Sequence, residues 1–283
     1  MRPCNNYRIP TENYSSWLGA KRYEAYKAGN LAEKAIFAPD LAFRVPAEDL
    51  RLDGKTLRQA VMNSEIQEHF KREELEENLK KRESAEMLDG FEEQKTTRKA
   101  EKYIKEKLKI NADYSRLPIE VANDMNQELV RAFNMFGTVG IIENVKVDDK
   151  YLKDNKLASY DPNTFSILLR SDYGKGNILL AIKKASKGFY SSQSGYHAYR
   201  HEIGHALLQY FKRDAPERIK LTEELFRGYF RRSSKGIELL SEYASTNYRE
   251  MVAEAFAEIM EGSPREFAKK VLSTLTGGTY NDK

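Results

Sequence analysis

Residues 196–211 read YHAYRHEIGHALLQYF and contain His201-Glu202-Ile203-Gly204-His205. On a helix, residues four apart lie on one face about a turn apart, so His201 and His205 can present imidazole nitrogens to one tetrahedral metal ion, a zinc-site arrangement. Glu202 lies roughly 100° round the helix from His201. It is placed to reach a water held by the metal without ligating it, which makes it the candidate general base. In a chain with four histidines, an HExxH match is expected by accident only about 0.006 times. The competing reading is a hydrogen-bonded pair of core histidines.

Two histidines do not complete a catalytic zinc site, which usually has three protein ligands and one open position. His197 is nearest in sequence, but at ~1.5 Å per residue it would sit about 12 Å along the axis from His205. It is therefore read as a cap, a hydrogen-bond donor behind a ligand, or a substrate contact. The one cysteine, Cys4, excludes both a disulfide framework within the chain and a Cys-rich zinc site, so a metal must be held by His and carboxylate.

Residues 239–261, LLSEYASTNYREMVAEAFAEIME, are the second informative stretch. Glu250, Glu254 and Glu258 recur every four residues on an expected final helix, among Met251, Val252, Ala255 and Phe256. Buried and unpaired, such carboxylates would be costly. A metal and a ligating His would satisfy them; an exposed acidic stripe is the alternative.

The two stretches together resemble the gluzincin metallopeptidases, and most closely the lethal-factor-like catalytic domains. The likeness rests on HEIGHAL and on Tyr243, Thr246, Asn247, Glu250, Ala253, Glu254, Ala255 and Phe256. It implies that Glu250 is the third zinc ligand beside His201 and His205, that Tyr243 stabilises the transition state, and that Glu254 accepts a hydrogen bond from a ligating His. The implied activity is peptide-bond hydrolysis with Glu202 as base, on a protein or peptide substrate. The combination is also similar to domains of phage and prophage structural modules. That likeness suggests a virion- or assembly-associated protein, and leaves a catalytically silent structural protein of a phage particle as the alternative.

The expected fold class is α+β: a zincin-like domain over residues 111–283, with a small sheet, the HExxH helix and a C-terminal glutamate helix. Residues 1–110 are expected to form an irregular start and a long charged helical extension. Within it, residues 17–37 are a helical candidate, and residues 56–109 are rich in Glu and Lys at i,i+4 spacing. This region is a candidate for docking a protein partner or self-association. Residues 117–136 are amphipathic, with Val121, Met125, Leu129 and Phe133 at helical spacing. Residues 139–147, 164–169 and 177–182 are short apolar runs between turn formers, expected as strands.

Composition bounds the remaining classes. The formal charge of +4 comes from 47 basic against 43 acidic residues, with no basic tail, so nucleic-acid binding is not implied. No apolar run approaches the ~18 residues that span a bilayer, and residues 1–14 lack the apolar core of a secretory signal. The expectation is a protein that is cytoplasmic or virion-associated and does not contact membrane.

Overall fold

The computed structural model describes residues 51, 52, 55, 56, 76, 77, 79, 80, 88, 90–152, 156–230 and 236–278. The chain divides into two compact units, Met1–Glu77 and Asn78–Lys283. In the first, strands β1 (Arg51–Leu52) and β2 (Lys55–Thr56) pair antiparallel, with Arg51 opposite Thr56. The helical candidate at residues 17–37 and much of the extension at residues 56–109 lie outside the described residues. Within that extension Thr56 belongs to β2, and residues 90–94 have no regular structure.

The second unit is mixed α+β. Helix α1 (Thr97–Leu108) starts where the Thr96 hydroxyl accepts from the Lys99 amide and stops at Lys109, whose φ of 54° turns the chain left-handed. Its buried residues, Ala100, Ile104 and Leu108, are four apart and make one apolar face. That face packs on β3 (Asn111–Asp113) and α2 (Ile119–Phe136). The compact unit thus reaches back past residue 111 and takes in a helix that the sequence assigns to the extension. Asn126 bonds the two helices, accepting from the Tyr114 hydroxyl and donating to the Ala100 carbonyl at 2.8 Å each.

Strands β4 (Asn144–Val147), β5 (Ala158–Asp161) and β6 (Ser166–Leu169) complete a four-stranded sheet in the order β3-β4-β6-β5. Pairings β3–β4 and β4–β6 are parallel, whereas β5–β6 is antiparallel, with Tyr160 opposite Ile167. This leaves β5 at the edge. The third expected strand, residues 177–182, is instead part of helix α3 (Lys175–Lys184). Only Ile178 and Ile182 are buried there, while Leu179 and Leu180 are exposed. The burial therefore has the helical period of four rather than the strand period of two.

Helix α4 (His197–Asp214) carries the HExxH motif through the centre of the unit, with twelve of its residues buried. It is followed by α5 (Pro216–Tyr229), the short α6 (Gly236–Leu239), a 3-10 turn at Tyr243–Ser245, α7 (Tyr248–Glu261) and α8 (Glu266–Thr276). The stretch at residues 239–261 is thus broken before its main helix, and α7 is not the last helix. Alternate sides of α4 are met by the sheet and by α7. On the sheet side, Gly140 sits at φ +78°, and a Cβ there would fall 2.2 Å from the Ala206 carbonyl carbon. Only glycine allows that approach, which lets the Ile141 amide donate to the Ala206 carbonyl at 3.1 Å. No helix among the described residues is long and apolar enough to cross a membrane.

Candidate metal centre

The site is made by the crossing of α4 and α7. Gly204, between the two motif histidines, is the point of closest approach: a Cβ on it would lie 2.8 Å from Ala253 Cα and 3.1 Å from Phe256 Cβ. Small residues at a crossing let helix backbones come together, and here they bring the first two turns of α7 against His201. The start of α7 is fixed by Asn247, whose side-chain oxygen accepts from the amides of Arg249 (2.9 Å) and Glu250 (3.2 Å). Glu250 is thereby held in the first turn, and Glu254 follows one turn later.

His201 Nε2, His205 Nε2 and Glu250 Oε2 converge. The two nitrogens are 3.1 Å apart, and the carboxylate oxygen is 3.0 Å from His201 and 3.4 Å from His205. A tetrahedral ion with bonds of ~2.0–2.1 Å to N and O ligands has ligand–ligand edges of roughly 3.3–3.4 Å. The three donor atoms already span nearly that triangle. Two imidazole nitrogens this close, with a carboxylate against both, call for a shared proton or a cation between them.

Behind this triangle lies Glu254, fully buried. Its Oε1 meets His201 Nδ1 at 2.9 Å and His197 Nε2 at 3.1 Å, while Oε2 accepts from the Ser191 amide (2.6 Å) and the Ser241 hydroxyl (3.0 Å). Bonding to Glu254 makes His201 Nδ1 the protonated nitrogen and leaves Nε2 to face the triangle. Burial works against ionisation of Glu254, but His197 and His201 outweigh it and hold the carboxyl well below the usual range. Glu250 behaves likewise: burial opposes its charge, and hydrogen bonds from His201 and His205 lower its pKa further than burial raises it. For His201, burial disfavours the imidazolium, yet the hydrogen bonds to Glu250 and Glu254 win and push its pKa up to about 10.

Two donor groups therefore share His201: His201 with His205 and Glu250, and His201 with His197 and Glu254. They differ in access. All three residues of the second group are buried, and both Glu254 oxygens are already bonded to protein. All of the first group line a cavity of about 460 Å³, bordered by β5, that also holds Glu202, Tyr243, Tyr160 and His197; Glu254 does not line it. An ion with a position to spare for a reactant fits the first.

Glu202 is fixed by the sheet. Its Oε2 accepts from the Tyr160 amide at 2.6 Å, an edge-strand N–H with no neighbouring strand to bond among the described residues, and the Tyr160 hydroxyl is tied to the Ile141 carbonyl at 2.7 Å. The Tyr243 ring stacks on His201 with centroids 5.5 Å apart, and is backed by Phe189 at 5.5 Å. Burial, reinforced by the negative charges of Glu250 and Glu202, raises the Tyr243 phenol pKa, so it stays a donor at neutral pH. On the far side of α4, buried Arg200 makes a two-pronged bond to buried Glu128 of α2 (2.6 and 3.0 Å), which sets the rotation of the motif helix.

The fold thus gathers His201, Glu202, His205, Tyr243, Glu250 and His197 around one cavity, with Glu254 behind His201 and bonded to both His201 and His197. Glu258, the third carboxylate of the stripe, is not in the cluster; it pairs with Arg265 at the head of α8. Ser191, Ser241, the Tyr160 amide and the Arg200–Glu128 pair escape sequence reading, because nothing in their spacing relates them to the motif. Only a buried charge on the back of the motif helix could have signalled Arg200. No protein-family model, curated protein or solved structure matches the chain.

Proposed function

We propose that the protein is a zinc-dependent endopeptidase with a zincin-like catalytic unit, its metal held by His201, His205 and Glu250. The observation that carries the reading is the triangle of donor atoms 3.0–3.4 Å apart, facing a cavity in which an anchored glutamate is the next group along. When bound, the zinc would supply a Lewis acid that polarises a carbonyl and makes water nucleophilic near neutral pH.

The residues of the chain divide the rest of the work. Glu254 holds His201 in the tautomer that offers Nε2, and the orientation of that ring is stiffened by Tyr243 stacking on it. Glu202 takes the proton of the attacking water and returns it to the leaving amine. The Tyr160 amide fixes one Glu202 oxygen and so limits the directions in which the carboxylate can act. The Tyr243 phenol, kept protonated by burial, donates to the developing oxyanion.

A peptide library incubated with the zinc-loaded chain, with Glu202→Gln as control, tests this by mass spectrometry. The expected result is cleavage by the wild type and a fall of about 10²-fold or more in the variant. Full zinc occupancy with no cleavage of any peptide would instead mark a structural metal site, as in a silent assembly protein. Equal cleavage by the variant would remove Glu202 from the chemistry.

A further inference from the structure

The charged groups around the cavity divide unequally. Of the carboxylates that line it, Glu250 belongs to the donor triangle and Glu202 is bonded to the Tyr160 amide. Three cations line it as well, Lys156, Lys212 and Arg249, and none has a carboxylate oxygen within 4.0 Å among the described residues. Elsewhere on the unit, cations near a carboxylate close on it: Lys175 on Asp124 at 2.9 Å, and Lys269 on Glu266 at 2.9 Å. Among the described residues, the cavity cations have no carboxylate partner.

Their placement is directional. Lys212 lies seven residues beyond His205 on α4, which is two turns along the same face and roughly 10.5 Å from it. Leu208 and Gln209, between them, also line the cavity, so this face of α4 forms its floor out to the lysine. Arg249 immediately precedes Glu250, and both cations lean on one ring: Lys212 Nζ is 5.9 Å and Arg249 Cζ 6.0 Å from the Tyr248 centroid. Lys156 lies two residues before the edge strand β5. An extended peptide advances about 3.3 Å per residue, so Lys212 lies about three residues from His205 along the cavity floor, with Arg249 against the same Tyr248 ring.

We propose that this cavity selects peptides bearing a carboxylate about three residues from the scissile bond, which Lys212 and Arg249 receive, while Lys156 adds to the field across the cleft. The inference rests on the peptidase reading for its cleavage arm but not for its binding arm. Long-range attraction focused by a cleft raises both the arrival rate and the residence of an anion. Neutral and basic sequences are disfavoured because they leave the cations unpaired or repelled. A carboxylate can come from an Asp or Glu side chain or from a peptide's own C-terminus.

The test uses full-length Glu202→Gln protein, zinc-loaded, and short fluorescein-labelled peptides that differ only in carrying Glu, Gln or Lys about three residues to either side of their centre. Each is made with a free or an amidated C-terminus, and binding is read by anisotropy. The expected result is that the Glu peptide binds about tenfold more tightly than the Gln peptide at low salt, with the gap narrowing as salt screens it. The preference should vanish in Lys212→Glu/Arg249→Glu, at a half-buried and an exposed position, and persist in Lys212→Arg. If only free-C-terminus peptides show the preference, the carboxylate is the chain end; if amidated Glu peptides keep it, it is the side chain. Equal affinities for Glu, Gln and Lys peptides, or no binding of any, overturn the proposal. Acid-selective binding without cleavage by the wild type would sink the peptidase reading and leave this one standing. Cleavage by the wild type without acid preference would do the reverse.

Discussion

Replacing Gly204 by alanine adds a methyl group at the one point where α4 and α7 have no room for it. The added Cβ would lie 2.8 Å from Ala253 Cα and 3.1 Å from Phe256 Cβ, whereas comfortable carbon–carbon contact is about 3.5–4.0 Å. Backbone is the nearer obstacle, so the helices must part by roughly 0.7–1 Å rather than turn a side chain. Such overpacking costs about 1–3 kcal/mol. Against it stands the gain of about 1 kcal/mol for alanine over glycine in a helix interior. The net loss should lower Tm by roughly 2–4 °C per kcal/mol for a unit of this size. The metal triangle should suffer more than the fold. His201 and Glu250 sit on the separating helices at 3.0 Å; widened by up to about 1 Å, they exceed the edge of roughly 3.3–3.4 Å that ~2.0–2.1 Å bonds require. Zinc affinity, measured by chelator competition, is expected to fall tenfold or more while circular dichroism stays native. A rise in Tm to the extent of the alanine gain, with unchanged zinc affinity, would refute the claim that Gly204 sets the distance between ligands.

Three further outcomes follow from the same geometry. Glu254→Ala should weaken zinc binding by the roughly 10- to 100-fold typical of partners behind a ligand, and by less than Glu250→Ala; the reverse order in measured affinities would put the ligand one turn later. Zinc binding should be proton-linked: with its pKa raised from 6.5 to about 10, His201 carries a proton in the metal-free protein at pH 7, and that proton must leave on loading. Affinity should therefore climb about tenfold per pH unit between roughly pH 7 and 9, and a flat profile would remove the raised imidazolium. In the metal-free chain the same raised pKa adds stability that is complete below about 6.5 and lost as pH rises through about 10. Finally, a fragment beginning at residue 111 should fold poorly, because it lacks α1, whose Ala100, Ile104 and Leu108 are fully buried. A fragment beginning at residue 78 should fold, and equal thermal stability of the two would show that α1 is dispensable.

How much of this could be read from the chain varies with the kind of signal. The motif helix was legible because its histidines carry the four-residue spacing of their own helix. So was α2, whose Met125, Leu129 and Phe133 repeat on one face. The run at residues 177–182 was misleading because Ile-Leu-Leu-Ala-Ile has no polar residue to reveal its period; the packing of Ile178 and Ile182 alone decides for a helix. Strand β5, Ala-Ser-Tyr-Asp, offers little β propensity, and its conformation comes from pairing with β6. The glutamate stripe gave a face without saying what each carboxylate would meet. Ser191, Ser241 and Arg265, distant or unremarkable in sequence, assign Glu254 and Glu258 to protein partners and leave Glu250 toward the cavity. The axial distance that separates His197 from His205 was readable, whereas the bond from His197 to Glu254 required the crossing of two helices.

The most direct test is the zinc content of the full chain, purified after loading and desalting, measured by inductively coupled plasma mass spectrometry for the wild type, His205→Ala, Glu250→Ala and His197→Ala. The triangle of His201, His205 and Glu250 predicts about one zinc per chain for the wild type, near-complete loss in His205→Ala and Glu250→Ala, and substantial retention in His197→Ala, whose Nε2 meets the Glu254 carboxylate and is not one of the three donor atoms. Retention in His205→Ala and Glu250→Ala with loss in His197→Ala would place the ion in the buried group behind His201, and would contradict the proposed metal triangle.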